Sequence, residues 1–63
     1  MKYVELIQYQ AERVFGNKEK AEAWLRRPKA AFGGRSPIEF ADSEAGYLSV
    51  KETLAKIDQG YVG

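Results

Sequence analysis

The 63-residue chain contains no cysteine and no histidine. The first absence excludes a disulfide framework, and the two together remove the usual ligands of structural zinc and of iron. Losing histidine also removes the commonest general base, so a serine or threonine nucleophile has no evident activator. Carboxylate pairs offer the remaining acid–base chemistry. Glu19 with Glu22 and Asp42 with Glu44 lie at expected helix starts, however, where the helix dipole accounts for them. An enzyme is not expected, nor a metal or cofactor. Long apolar runs are missing as well, and no basic segment precedes an apolar one at the N-terminus. Neither a transmembrane helix nor a signal peptide is therefore read, and the cytoplasm is the expected location.

Charge of one sign is also scarce, because the formal net charge is only +1. That is too little for a general nucleic-acid field, yet the halves differ. Residues 1–35 hold eight basic and four acidic side chains, giving +4, and residues 36–63 hold two and five, giving −3. At this length only about 60% of the unfolded chain's surface can be buried. With the usual staples of a small domain absent, self-association as a homodimer or binding to a partner is expected.

What is present is helical punctuation. Val4, Ile7, Ala11 and Val14 recur at three- and four-residue steps with Phe15 beside them, which predicts an amphipathic helix from Tyr3 to Phe15 ended by Gly16. Asn17 can cap a second helix whose inner face is Ala21, Trp24 and Leu25, with Trp24 expected in the core. Pro28 forbids its continuation. Gly33-Gly34 then permits a sharp turn, and Ser36, Pro37 and Glu39 make a capping-box start for a short helix to about Ala41. Asp42 or Ser43 can cap a last helix reaching Gln59, with Tyr47, Val50, Leu54 and Ile57 as its stripe and Gly60 as its stop. Gly46 sits in that helix's first turn, where close packing against its backbone is expected. The predicted fold class is all-α, a compact bundle of about four short helices in a single domain, with residues 60–63 as a C-terminal tail.

Two surface features invite a functional reading. Arg26, Arg27, Lys29 and Arg35 surround the Pro28–Gly34 connection. They suit either a phosphate-binding patch or a solvated rim, and the rim is preferred because no recognition helix with base-reading side chains is visible. The terminal Gly60-Tyr61-Val62-Gly63 fits either a frayed end, with Tyr61 folded back on Ile57, or a protruding tail that docks into a partner. The residues alone leave those two open.

Taken in order, the motifs are A-x-x-V-F-G from Ala11 to Gly16, A-x-x-W-L-x-x-P from Ala21 to Pro28, and F-G-G-x-S-P-I-E from Phe32 to Glu39. S-E-A-G from Ser43 to Gly46 and V-x-x-x-L-x-x-I-x-x-G from Val50 to Gly60 complete them. The series resembles the toxin-binding domain of the Xre/MbcA/ParS antitoxins. The resemblance implies a small helical inhibitor of a toxin carrying a RES domain, an enzyme that consumes NAD or uses it for ADP-ribosylation. It also implies that the C-terminal end obstructs the toxin's active site, which favours the docking tail. The residues expected to meet the partner are then Arg35, Lys56, Ile57, Gly60, Tyr61, Val62 and Gly63, with Arg35 and Lys56 steering the encounter. Many members also carry an N-terminal helix-turn-helix-like region that binds operator DNA and dimerises. This chain starts only a few residues before the shared series, as a stand-alone module or a piece of a longer protein would. Operator binding by it is not expected, and a small DNA-binding regulator using the Arg26–Arg35 patch stands as the alternative.

Overall fold

Each apolar stripe builds a helix, and the connections are fixed by side-chain caps. In the computed structural model, which describes residues 2–60, α1 is Tyr3–Phe15, α2 is Lys18–Arg26, α3 is Pro37–Phe40 and α4 is Glu44–Asp58. α1 buries Ile7 and Ala11 completely and ends at Gly16, whose N–H donates to the Glu12 carbonyl. The Asn17 side chain accepts from the Lys20 N–H at 2.9 Å and so starts α2. α2 contributes Ala21 and Leu25 to the core and stops at Arg27, whose extended backbone is the geometry favoured before a proline. Ser43, rather than Asp42, caps α4 through the Gly46 N–H.

α1 and α4 lie side by side and run the same way. Their starts meet in the stacked rings of Tyr3 and Tyr47, 5.1 Å apart. Further along, the Gln10 amide donates to the Lys51 carbonyl at 3.3 Å, and Val14 shares a groove with Ala55. The core between the elements is Ile7, Ala11, Ala21, Leu25, Phe32, Ala41, Val50 and Leu54.

The Pro28–Gly34 connection holds more structure than punctuation alone indicates. Ala30–Phe32 form a 3-10 turn, and the chain closes on itself when the Lys29 N–H donates to the Arg35 carbonyl at 3.2 Å and the Gly34 N–H to the Lys29 carbonyl at 2.9 Å. Gly33 and Gly34 have φ of 68° and 85°, a conformation open to glycine at little steric cost. The closed loop drops Phe32 into the core, where its ring stacks on Phe40 at 4.8 Å.

Both halves of the capping box are made. The Glu39 N–H donates to Ser36 Oγ at 3.2 Å and the Ser36 N–H donates to Glu39 Oε1 at 3.1 Å. Pro37 is fully buried behind them. Gly46 then lets α3 and α4 approach. A Cβ added there would overlap the Phe40 carbonyl oxygen and come within 2.9 Å of its carbon.

One core assignment is corrected. Trp24 is half-buried and packs on the edge of the core, not within it. Its place in the i, i+3, i+4 pattern puts it at the margin of the stripe, beside the Phe15 ring and under the Lys29 ammonium.

Candidate functional site

The residues expected to meet a partner fall into two places. Lys56, Ile57 and Gly60 belong to the last turn of α4 and its stop: Lys56 and Gly60 are exposed and Ile57 is half-buried. The stop is built by the backbone, with the Gln59 N–H donating to the Ala55 carbonyl at 3.1 Å and the Gly60 N–H to the Ile57 carbonyl at 3.0 Å. The Lys56 charge sits where the negative end of the helix dipole favours it. Beside this end, Gln10, Arg13 and Val14 of α1 and Ala55 and Asp58 of α4 line a shallow groove of 220 Å³. The surface there combines a small apolar floor with charges of both signs.

Arg35 is elsewhere. Its Nη2 donates to the Glu39 carbonyl at 2.9 Å and pairs with Asp42 at 3.2 Å, so it braces α3 against the start of α4. Asp42 lies about 20 Å along the chain axis from Lys56 at the helical rise per residue. The structure therefore brings Lys56, Ile57 and Gly60 together and leaves Arg35 at the other end of α4. Tyr61, Val62 and Gly63 lie outside the described residues.

Sequence reasoning missed the exposed apolar side chains. Leu6 at 48%, Tyr9 at 63% and Leu48 at 51% exposure are large hydrophobic residues left in solvent, and all three sit on the paired helices α1 and α4. Their signal was available, since each is an apolar residue that falls off its helix's buried stripe. Tyr9 carries the Arg13 guanidinium 5.8 Å above its ring.

The basic group around the Pro28–Gly34 connection is divided by the fold. Arg26 pairs with Glu22 at 2.9 Å along one face of α2, and Arg35 pairs with Asp42. Arg27 and Lys29 instead flank Trp24, and the Lys29 ammonium lies 4.9 Å from the centre of the indole. Burial, and secondarily the neighbouring Arg27 charge, hold the Lys29 amine below the usual lysine pKa. Among the described residues no group of acidic side chains is arranged to hold a metal ion.

Residues 10–60, which contain α2, α3, α4 and the second half of α1, match the family described as the antitoxin Xre/MbcA/ParS C-terminal toxin-binding domain. The chain belongs to that family. It is 41% identical over 51 residues to an Antitoxin Xre of Pseudomonas putida, a match covering 81% of this chain and 32% of the relative. It is 30% identical over 61 residues to an Antitoxin Xre of Photorhabdus laumondii, covering 97% of this chain and 41% of the relative. A Prs ADP-ribosylating antitoxin of a Sphingobium species is 39% identical over 46 residues, covering 73% of this chain and 29% of the relative. The domain thus spans about a third of the length of the curated relatives it matches. No solved structure matches the chain.

Proposed function

We propose that this domain inhibits a RES-domain toxin, an NAD-consuming or ADP-ribosylating enzyme, by laying the C-terminal end of α4 across the toxin's active-site cleft. Occlusion needs no catalytic group on the inhibitor, which suits a chain without histidine or cysteine. Membership of a toxin-binding family supports a toxin as the partner. The observation that supports this placement is that α4 packs Val50 and Leu54 on the core and then exposes Lys56, Asp58, Gln59 and Gly60 around half-buried Ile57. The body of the helix is fixed while its end is free to make new contacts. Lys56 steers the approach and half-buried Ile57 extends the apolar contact begun by Tyr61, the kind of aromatic that anchors interfaces. No helix among the described residues is long and apolar enough to cross a membrane.

The test is NAD consumption by a RES-domain toxin encoded beside this gene, titrated with the whole chain and with a chain ending at Gly60. The whole chain should abolish turnover at stoichiometric ratio and the shortened chain should require substantially more protein. Equal potency removes the tail from the mechanism, and no inhibition by either removes the toxin assignment.

A further inference from the structure

On the side of the molecule formed by α2, an aromatic pocket is ringed by cations. Phe15, Ala23 and Trp24 form its apolar wall, with the two rings 6.0 Å apart and tilted by 47°, and Lys20, Arg27 and Lys29 surround it. Its volume is 280 Å³. Helical spacing explains how the wall forms. Lys20, Ala23 and Trp24 are three and four residues apart and share one face of α2, Arg27 follows at its C-terminal cap, and no carboxylate lines the pocket. Among the described residues the ion pairs are Arg26 with Glu22 and Arg35 with Asp42, and neither uses a cation of this pocket.

We propose that this pocket is a second contact with the protein partner, receiving an acidic side chain, aspartate or glutamate, together with an apolar neighbour on the same segment. Three cations without a carboxylate make a field that attracts anions, and the aromatic wall gives the flanking apolar residue a surface to bury. A single anchoring side chain fits an opening of 280 Å³. A nucleobase is disfavoured, because the Lys29 ammonium already lies over the indole and a base would have to displace it to stack. The Lys29 amine is held low first by burial and then by the Arg27 charge, and an anion would offset the second of these.

The inference rests on the toxin-partner reading proposed above, and the experiment separates the two. Binding of the neighbouring toxin is measured for the whole chain and for the double variant Arg27→Glu with Lys29→Glu, at low and high salt. Helical content of both chains is checked by circular dichroism. The double variant should bind at least tenfold more weakly, mostly through a slower association, and with a flatter dependence on salt. Unchanged affinity and salt dependence overturn the acidic contact and leave occlusion by α4 standing.

If the toxin binds neither chain, the toxin reading fails and a direct probe decides the pocket. Trp24 is the only tryptophan, so its emission reports the site directly. An acetylated Ala-Glu-Leu-Glu-Ala peptide should shift that emission, its glutamine analogue should not, and the double variant should respond to neither. Equal shifts from the two peptides overturn the proposal. So does a short oligothymidylate that shifts the emission at lower concentration than the acidic peptide, which would assign the pocket to nucleic acid instead.

Discussion

At the scale of single residues, Gly46 shows propensity yielding to packing. Alanine is favoured over glycine within a helix by about 1 kcal/mol, yet here the added methyl would collide with the Phe40 carbonyl, which is backbone and cannot swing aside. Gly46→Ala should therefore destabilise the domain by about 2 kcal/mol, within the range for overpacking, as measured by chemical denaturation. The close approach was legible in the sequence, because a glycine in a first helical turn has few other uses. Trp24 was less legible. Spacing with Ala21 and Leu25 places it near the stripe but cannot say that one flank opens to solvent, since that depends on how much of the ring Phe15 covers. Trp24→Ala should accordingly cost about 2 kcal/mol, below the 3 to 5 kcal/mol typical of a fully buried aromatic.

Lys29 adds a charge effect on the same side of α2. Its amine is depressed first by burial and then by Arg27, so Arg27→Gln should raise its titration midpoint only part of the way to an ordinary lysine, as read by NMR of the side chain. The sign for stability follows. A base whose pKa falls on folding binds fewer protons in the native state, so stability rises with pH between the depressed native value and the unfolded one.

At the scale of elements, the four helices were visible because each stripe is long enough to show its period or, in α3, because the cap announces the start. The 3-10 turn was not. Three residues carry no period, and Phe32 looked like part of a connection until the Lys29–Arg35 closure turned it inward. That closure depends on the two consecutive left-handed glycines. Nothing lies within 4 Å of a Cβ added at Gly33, so the cost of Gly33→Val begins with its positive φ of 68° and not with a clash at Cβ. It should nevertheless exceed the cost of Ser36→Ala, about 1 kcal/mol for a lost cap, because opening the turn also withdraws Phe32 from Phe40. Comparable small losses from both substitutions, in thermal melts followed by circular dichroism, would contradict this account of the loop.

At the scale of the whole molecule, the candidate site was legible in part. The stop at Gly60 and the charge of Lys56 follow from sequence, and the fold places both at one exposed end beside α1. That Arg35 stands at the other end of α4 did not follow, because its partners Glu39 and Asp42 are chosen by how α3 turns into α4. The parallel pairing of α1 with α4 was equally hidden, since both stripes are compatible with either direction.

This arrangement separates what folds the domain from what is proposed to act. Leu54 is fully buried on the inner face of α4, one helical turn before the exposed end. Leu54→Ala should cost about 2 to 5 kcal/mol, comparable to the whole stability a core of this size supplies, so helical content and toxin inhibition should fall together. Deleting residues 61–63 touches none of the described core. The shortened chain should melt within a few degrees of the whole one, because a terminal segment past a helix stop contributes little unless tied down. Its inhibition should still weaken by roughly thirtyfold, the equivalent of about 2 kcal/mol for one aromatic anchor. Melting followed by circular dichroism, set beside inhibition of the toxin by the same preparations, reads both quantities. A deletion that lowers melting and inhibition in proportion, as Leu54→Ala should, would make the tail a part of the fold and leave no basis for its action at the toxin's cleft.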